Sequence, residues 1–94
     1  MTWCCYILRC ADDTLYCGIT NDLTKRLAAH NAGTAAKYTR TRTPVELVFS
    51  ETCDDRSVAS KRELAIKRLT REKKLALILA YTTRTPHAGA SELP

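Results

Sequence analysis

Two short apolar runs, each carrying one tyrosine, lie on either side of a polar turn and constrain the fold of this chain more than any other feature. Tyr6 lies in the first run and Tyr16 in the second, and residues 11–14 (Ala-Asp-Asp-Thr) separate them. Runs of this length, rich in apolar and aromatic residues and bounded by a polar turn, are typical of a β-hairpin. We therefore predict strands over residues 3–9 and 14–19.

The register of this hairpin decides whether the two phenols share a face of the sheet. A two-residue turn pairs Tyr6 with Ile19 and places Tyr16 on the opposite face. A three-residue loop over residues 11–13 instead pairs Tyr6 with Gly18. Both tyrosines then lie on one face as diagonal neighbours, roughly 7–8 Å apart at the backbone. We predict the three-residue loop.

A helix is predicted after the hairpin, with charged residues on its apolar face. Thr20 or Asn21 is expected to cap it, and it ends just before Gly33. Steps of three, one and three residues place four side chains on one face, namely Leu23, Arg26, Leu27 and His30. A buried arginine needs a partner, so Arg26 and His30 are candidate site residues. The alternative is an arginine paired with the sheet and a histidine that only packs.

The second half of the chain predicts one more strand and two more helices. They are a strand from Val45 to Glu51, a long helix capped by Asp54 or Asp55, and a short last helix from Thr70 to about Tyr81. The inner stripe of the long helix is expected to hold Val58, Arg62, Ala65, Ile66 and Leu69, with Ala59, Glu63 and Ile66 along its border. From that border Glu63 faces the sheet, although a generic surface glutamate is the alternative.

We expect one small domain over residues 1–81, followed by a flexible tail over residues 82–94. The tail holds mainly Thr, Pro, Gly, Ala and Ser and has little to bury. His87 lies in this tail and has no assigned role. No stretch of the chain is long and apolar enough for a transmembrane helix.

The five cysteines favour a cytoplasmic protein with reduced thiols. Their number is odd, so they cannot all form disulfides within one chain: Cys4, Cys5, Cys10, Cys17 and Cys53. A zinc site is the alternative, but the chain contains no Cys-x-x-Cys pair. We therefore interpret the cysteines as buried structural residues.

Basic residues exceed acidic ones and are clustered. Fifteen Lys and Arg against ten Asp and Glu give a net charge of +5, and most of the basic residues fall in residues 37–42 and 56–74. The clusters predict a surface that follows phosphates, and a solvated helix face is the alternative. Residues 34–43 are predicted to be a polar connecting loop. The candidate nucleic-acid contacts are Lys37, Tyr38, Arg40, Arg42, Arg62 and Lys67.

Phenols, a guanidinium, an imidazole and one carboxylate are together typical of chemistry on a phosphodiester. The planar fork of arginine matches phosphate oxygens, and a single carboxylate suffices to hold a hydrated magnesium ion. A phenol has a pKa of about 10 and is a poor base unless a cation or a hydrogen bond lowers that value. Tyr6 and Tyr16 near Arg26 would supply such a setting.

Several segments carry a specific resemblance, in a common order and spacing over roughly residues 3–80. They are Cys4-Cys5-Tyr6, Tyr16-Cys17-Gly18-Ile19-Thr20-Asn21-Asp22-Leu23, Lys25-Arg26-Leu27-Ala28-Ala29-His30-Asn31, Ala36-Lys37-Tyr38-Thr39-Arg40, Pro44-Val45-Glu46-Leu47-Val48, and Glu63 with Ile66-Lys67-Arg68-Leu69. Together they resemble the GIY-YIG nuclease family, and most closely its small stand-alone bacterial members. The resemblance implies an α+β fold, with a three-stranded antiparallel sheet flanked by about three helices.

The resemblance also implies an enzyme that cleaves DNA in repair or processing and depends on one magnesium or manganese ion. Glu63 would hold the ion, and Tyr6 would act as, or assist, the general base. Tyr16 would position the water or the phosphate, Arg26 would stabilise the developing charge, and His30 would lie near them. Expected partners are DNA substrates, branched or single-stranded forms among them, recognised by backbone shape.

Two positions depart from the family pattern. Many members carry a lysine where this chain has Ile19 and Thr20, and some carry an asparagine where it has Leu75. A nucleic-acid-binding module with weak or absent catalysis is therefore the alternative function. A structural protein in which the tyrosines only pack is the third reading, but it leaves Arg26 on a leucine stripe without a cause.

Overall fold

The computed structural model describes residues 2–84, which form a small α+β domain. A three-stranded antiparallel sheet has the order β2-β1-β3, and helices lie on both of its faces. The elements are β1 Trp3–Arg9, β2 Leu15–Thr20, α1 Leu23–Asn31, α2 Lys37–Arg40, β3 Glu46–Cys53, α3 Arg56–Lys67 and α4 Arg71–Arg84. None of these helices combines the length and the apolar composition needed to span a membrane. The predicted fold class is confirmed.

The hairpin has the predicted three-residue-loop register. Tyr6 is paired with Gly18 and Leu8 with Tyr16, and the Cys10 amide donates to the Thr14 carbonyl at 2.8 Å, which closes the loop. Because side chains alternate along a strand, both tyrosines point to the same face. The loop places Asp13 in the left-handed region at φ 68°, a conformation that aspartate tolerates better than most residues.

The two faces of the sheet bury separate clusters. Helix α1 covers one face, where Leu23 and Leu27 pack against Tyr6, Leu8 and their neighbours. Helices α3 and α4 cover the other face, where the buried residues are Cys5, Ile7, Cys17, Val48, Phe49, Cys53, Ala59, Ile66 and Ile78. All five cysteines are free thiols, and four of them are buried in these clusters.

Helix α1 begins one residue later than predicted. Its N-cap is Asp22, whose carboxylate accepts from the Lys25 amide at 3.1 Å, so Thr20 and Asn21 are not the cap. Thr20 instead uses its hydroxyl oxygen to accept from the Asp22 amide at 3.0 Å, which holds the chain entering the helix. Gly33 follows the helix at φ 80°, a left-handed conformation that favours glycine and ends the helix as predicted.

The segment over residues 34–43 is not only a loop, because it contains α2. The buried residue of this short helix is Thr39, and the backbone of Arg42 closes the turn by donating to the Thr39 carbonyl at 2.9 Å. Helix α2 packs against α1. The sequence signal was weak because the other residues of α2 are polar or exposed.

The inner face of α3 differs from the predicted stripe. Ala59 and Ile66 are its buried residues, whereas Val58 is 44% exposed and Ala65 is also exposed. Ile66 belongs to both candidate stripes, so the pattern alone did not separate them. Ala59 is 0% exposed, and Glu63, one turn later on the same side of the helix, has a side chain that is 24% exposed.

Helix α4 also extends further than predicted. Its cap is Thr70 as expected, since the Thr70 hydroxyl accepts from the Lys73 amide at 3.2 Å. Beyond Tyr81 the helix continues to Arg84, and the Thr82 hydroxyl donates to the Ile78 carbonyl of the preceding turn at 2.9 Å. Residues 82–84 therefore belong to α4 and not to the predicted tail. Residues 85–94, with His87, lie outside the described residues.

Gly18 is needed because the Tyr6 phenol lies directly over it. A Cβ at position 18 would lie 2.6 Å from Tyr6 Oη and 2.8 Å from Tyr6 Cζ. Tyr6 is 1% exposed, so its ring has no free space into which it can move. Gly18 thus has a packing role.

We expect Gly18→Ala to lower the free energy of unfolding by about 1–3 kcal/mol, the usual cost of overpacking a core. Chemical denaturation measures this change. In a Tyr6→Phe background, which removes the hydroxyl, the same substitution should cost less, because the shortest of these contacts is gone. Equal costs in both backgrounds would show that the clash is relieved elsewhere.

Candidate active site

A buried hydrogen-bonded chain links the first tyrosine to two helices. Tyr6 Oη lies 2.9 Å from His30 Nε2, and His30 Nδ1 lies 2.8 Å from Thr39 Oγ1. Both His30 and Thr39 are 0% exposed. His30 is therefore neither on the surface nor a simple packing residue, because both of its ring nitrogens are hydrogen-bonded.

Arg26 lies one turn before His30 and reaches the same phenol. Its guanidinium lies close enough to lower the pKa of the Tyr6 hydroxyl, while its Nε is buried without a hydrogen-bond partner among residues 2–84. Leaving a buried charged donor unpaired is costly. Arg26 also lines two grooves that open to solvent, where a guanidinium fork is suited to binding a phosphate oxygen.

Burial governs the proton affinities in this cluster. It raises the pKa of Tyr6 to about 12, against a smaller lowering by the nearby Arg26 guanidinium and with a further rise from Tyr16. Burial also lowers the pKa of His30, and the positive charge of Arg26 lowers it further. At neutral pH the cluster thus holds a protonated phenol and a neutral imidazole.

Tyr16 is the more accessible of the two phenols and is held by aromatic contacts. Its ring meets His30 edge-on with centroids 5.2 Å apart and stacks on Tyr38 at 5.8 Å. The Arg42 guanidinium lies 4.1 Å from the Tyr38 ring centroid, and Asp12 accepts from its Nε at 3.0 Å. The hairpin turn thus fixes an outer layer of contacts that orients Tyr16.

Glu63 lies on the other face of the sheet. It is on α3, 24% of its side chain is exposed, and its carboxylate lies 3.3 Å from Lys67 Nζ. The pKa of the Cys5 thiol is raised by its contact with the Cys17 thiol, by burial, and also by the negative charge of Glu63, which locates the carboxylate on that side. No hydrogen bond or ion pair in residues 2–84 joins Glu63 to Tyr6 or Tyr16.

The two faces approach each other around the free edge of β2, which pairs with β1 alone. A groove of ≈340 Å³ at the end of β2 is lined by Arg26 from α1 and Arg56 from α3, together with Trp3, Ile19, Thr20 and Asn21. Glu63 lies two turns further along α3 from Arg56, on the same side of that helix. Arg26 also lines a second groove of ≈220 Å³ with Asp22 and Lys25.

The predicted nucleic-acid contacts fall into two groups. Those on the α2 side surround a shallow groove of ≈480 Å³, which Lys37 and Arg40 line directly, and Tyr38 is 39% exposed beside them. Those on α3 are paired with acids: Arg62 with Glu51 at 3.1 Å and Lys67 with Glu63. Lys37 and Arg40 are therefore the predicted basic contacts that are most open to a phosphate.

The donor set fits a hydrated divalent ion rather than a closed metal cage. Within residues 2–84 no group of three or more His, Cys, Asp or Glu side chains lies close enough to hold a metal. Magnesium keeps several waters and is often held by one carboxylate together with substrate phosphates. The partly exposed Glu63 meets that requirement once its bond to Lys67 opens.

Sequence reasoning missed two residues of this site, Thr39 and Asp12. Thr39 gave no signal because it lies between polar residues in an apparent loop. Asp12 was read only as part of the turn, whereas its carboxylate accepts from both Thr14 and Arg42. A basic residue near the site with an acid in the hairpin turn is the pattern that would have indicated this pair.

Comparison with known proteins identifies the family. Residues 2–76 match the GIY-YIG catalytic domain. The chain belongs to the GIY-YIG family. The two tyrosine-bearing segments that resemble the GIY-YIG motif are the two strands of the hairpin. The matched residues also include Arg26, His30 and Glu63.

The relatives of this GIY-YIG domain are small proteins of similar length. A UPF0213 protein of Desulfotalea psychrophila is 53% identical over 79 residues, which cover 83% of this chain and 72% of the relative. One of Natronomonas pharaonis is 55% identical over 77 residues, covering 82% and 91% of the two chains. The solution NMR structure of a UPF0213 protein from Bacillus halodurans aligns with TM-score 0.57 at 35% identity, covering 94% of this chain and 98% of that one.

Proposed function

We propose that this protein is a metal-dependent endonuclease that hydrolyses DNA phosphodiester bonds in repair or processing, selecting substrates by shape. The observation that carries the proposal is the position of Arg26, which lies close enough to the Tyr6 phenol to lower its pKa and lines a groove at the end of β2. Membership of a nuclease-type family supports it. The accessible groups around the site are suited to backbone contacts rather than to reading bases.

Arg26 would bind the phosphoryl oxygens and stabilise the charge that develops as water attacks phosphorus. Arg26 lines two grooves at the surface, which makes its guanidinium available to a ligand. The groove that Arg26 shares with Arg56 offers an approach for the backbone of a nucleic acid. Arg56 would add positive charge on the α3 side of the same groove.

Tyr16, rather than Tyr6, would meet the attacking water. The Tyr6 hydroxyl is buried and bonded to His30, and its pKa of about 12 opposes a role as the primary base. Tyr6 and His30 would instead form an inner hydrogen-bonded pair that holds Tyr16 through its edge-on contact with the imidazole. One proton would pass from the water through Tyr16 to solvent in the groove as the water oxygen bonds to phosphorus, and the departing ester oxygen would gain one from solvent there.

Glu63 would hold a magnesium or manganese ion at the edge of β2. The ion, when bound, supplies positive charge beside the scissile phosphate and favours deprotonation of water. Lys67 would release the carboxylate on binding. An exposed i,i+4 pair of this kind contributes only about 0.3–0.5 kcal/mol, so its loss is a small barrier.

A nucleic-acid-binding module without catalysis is the second candidate. The observation that favours it is the position of Glu63 on the opposite face of the sheet from the tyrosines, bound to Lys67. Such a module would need the basic groove of α2 but not the carboxylate.

Incubation with supercoiled, single-stranded and branched DNA, with magnesium and with a chelator, tests the proposal. We expect cleavage of at least one substrate that requires the metal and prefers branched or single-stranded forms. Binding without cleavage of any substrate, under magnesium or manganese, would establish the second candidate instead.

A further inference from the structure

Thr39 is a fully buried threonine whose hydroxyl has no part in the proposed chemistry. It lies on α2, between the exposed residues Tyr38 and Arg40, and points into the core toward His30. Burying a hydroxyl is costly unless both its donor and its acceptor are used. The single proton of this hydroxyl therefore determines which partner donates in each of its hydrogen bonds.

The first count starts from Thr39. Its hydroxyl donates to the Ala36 carbonyl at 3.3 Å, and a carbonyl oxygen has no proton to give back. A hydroxyl carries one proton, so Thr39 Oγ1 must accept in its 2.8 Å bond with His30 Nδ1. The proton of the neutral imidazole is then on Nδ1.

The proton of Tyr6, at the other end of the hydrogen-bonded chain, indicates the tautomer of His30 independently. The proton of a buried hydroxyl needs an acceptor, and within residues 2–84 the hydrogen-bond partner of the Tyr6 hydroxyl is His30 Nε2, 2.9 Å away. A bare Nε2 again requires the proton of the ring to be on Nδ1. The two counts use different residues and give the same tautomer.

We propose that Thr39 is a positioning residue, which fixes His30 in the Nδ1–H tautomer so that Nε2 can accept the proton of Tyr6. This inference rests on the proposed function for its effect on catalysis, but the tautomer itself belongs to the free protein. The other tautomer would leave the Tyr6 proton without an acceptor and would point the imidazole proton at the phenol. A neutral histidine takes its tautomer from the bond that its second nitrogen makes.

Thr39→Val and Thr39→Ser form a matched pair for the test. Valine keeps the shape of threonine but has no hydroxyl, whereas serine keeps the hydroxyl and loses a methyl group. The first measurement is the nitrogen NMR of the His30 ring in the free protein, at a pH where the ring is neutral. We expect the Nδ1–H form in the wild type and the serine variant, and a shift toward the Nε2–H form in the valine variant.

The second measurement is metal-dependent cleavage of DNA. We expect the valine variant to lose about 10- to 100-fold in kcat, the usual range for a group that orients a functional ligand, with KM unchanged and with activity restored in the serine variant. A purely structural role would instead lower the activity of both variants in proportion to their loss of stability, which denaturation measures.

Each outcome decides the inference. An Nε2–H form in the wild type, or an Nδ1–H form that persists in the valine variant, would overturn it. If the valine variant does not fold, the wild-type and serine spectra still decide the tautomer. If the wild type cleaves no substrate, the proposed function fails and the catalytic role of Thr39 falls with it, whereas the tautomer is still decided by NMR.

Discussion

Glu63→Gln is expected to abolish metal-dependent cleavage while leaving the fold and DNA binding intact. Glutamine keeps the size of the side chain but removes the charge that holds a divalent ion. A bound metal contributes several kcal/mol of charge stabilisation in the transition state, so we expect kcat to fall by about 10³-fold or more. The free energy of unfolding should change little, because the bond to Lys67 is partly exposed.

Glu72→Gln is the matched control for this substitution. Glu72 lies in the first turn of α4 and is exposed, so its replacement removes the same charge outside the proposed site. Cleavage by the Glu72 variant should equal that of the wild type. Full activity in the Glu63 variant would contradict the assigned role and would require another ligand for the metal.

Arg26→Ala is expected to have the second largest effect. Removing a preorganised donor that stabilises developing charge costs about 10²–10³-fold in kcat. The substitution also removes the neighbouring cation that lowers the pKa of Tyr6, so the pKa of that phenol should rise further. Arg26→Lys should recover little activity, because an ammonium cannot reproduce the planar fork. Cleavage rates and a spectroscopic titration of tyrosine measure the two effects.

Lys25→Ala provides the control for general loss of positive charge. Lys25 is exposed on the neighbouring position of α1, and it lines the smaller groove together with Arg26. Its loss should weaken DNA binding modestly and leave kcat unchanged. Equal losses of cleavage in the Lys25 and Arg26 variants would show that only the net charge of this helix matters.

The hairpin register could be predicted because side chains alternate along a strand. Of the two loop lengths considered, only the three-residue loop placed both tyrosines on one face of the sheet. The sequence predicted the face of α1 because leucines flanked Arg26 and His30 at helical steps. It did not predict the inner face of α3, because Ile66 belonged to both candidate faces. The burial of the small Ala59 depends on how the helix packs against the sheet.

The internal geometry of the site was less accessible from sequence. Tyr6 was expected to be a base, but its burial and its bond to His30 depend on a residue 24 positions away. The role of Thr39 depends on how α2 packs, and no local pattern distinguishes it from neighbouring threonines. Glu63 was expected to face the sheet, but the sequence did not show that α3 covers the face opposite the tyrosines.

The central claim is that groups from both faces of the sheet meet around the edge of β2, with the metal at Glu63. Paramagnetic broadening of amide resonances by manganese tests it most directly. We predict that low concentrations of manganese broaden residues 16–18 and Glu63 first, and that Glu63→Gln removes this broadening. Unchanged broadening in that variant, or broadening confined to other parts of residues 2–84, would contradict the claim.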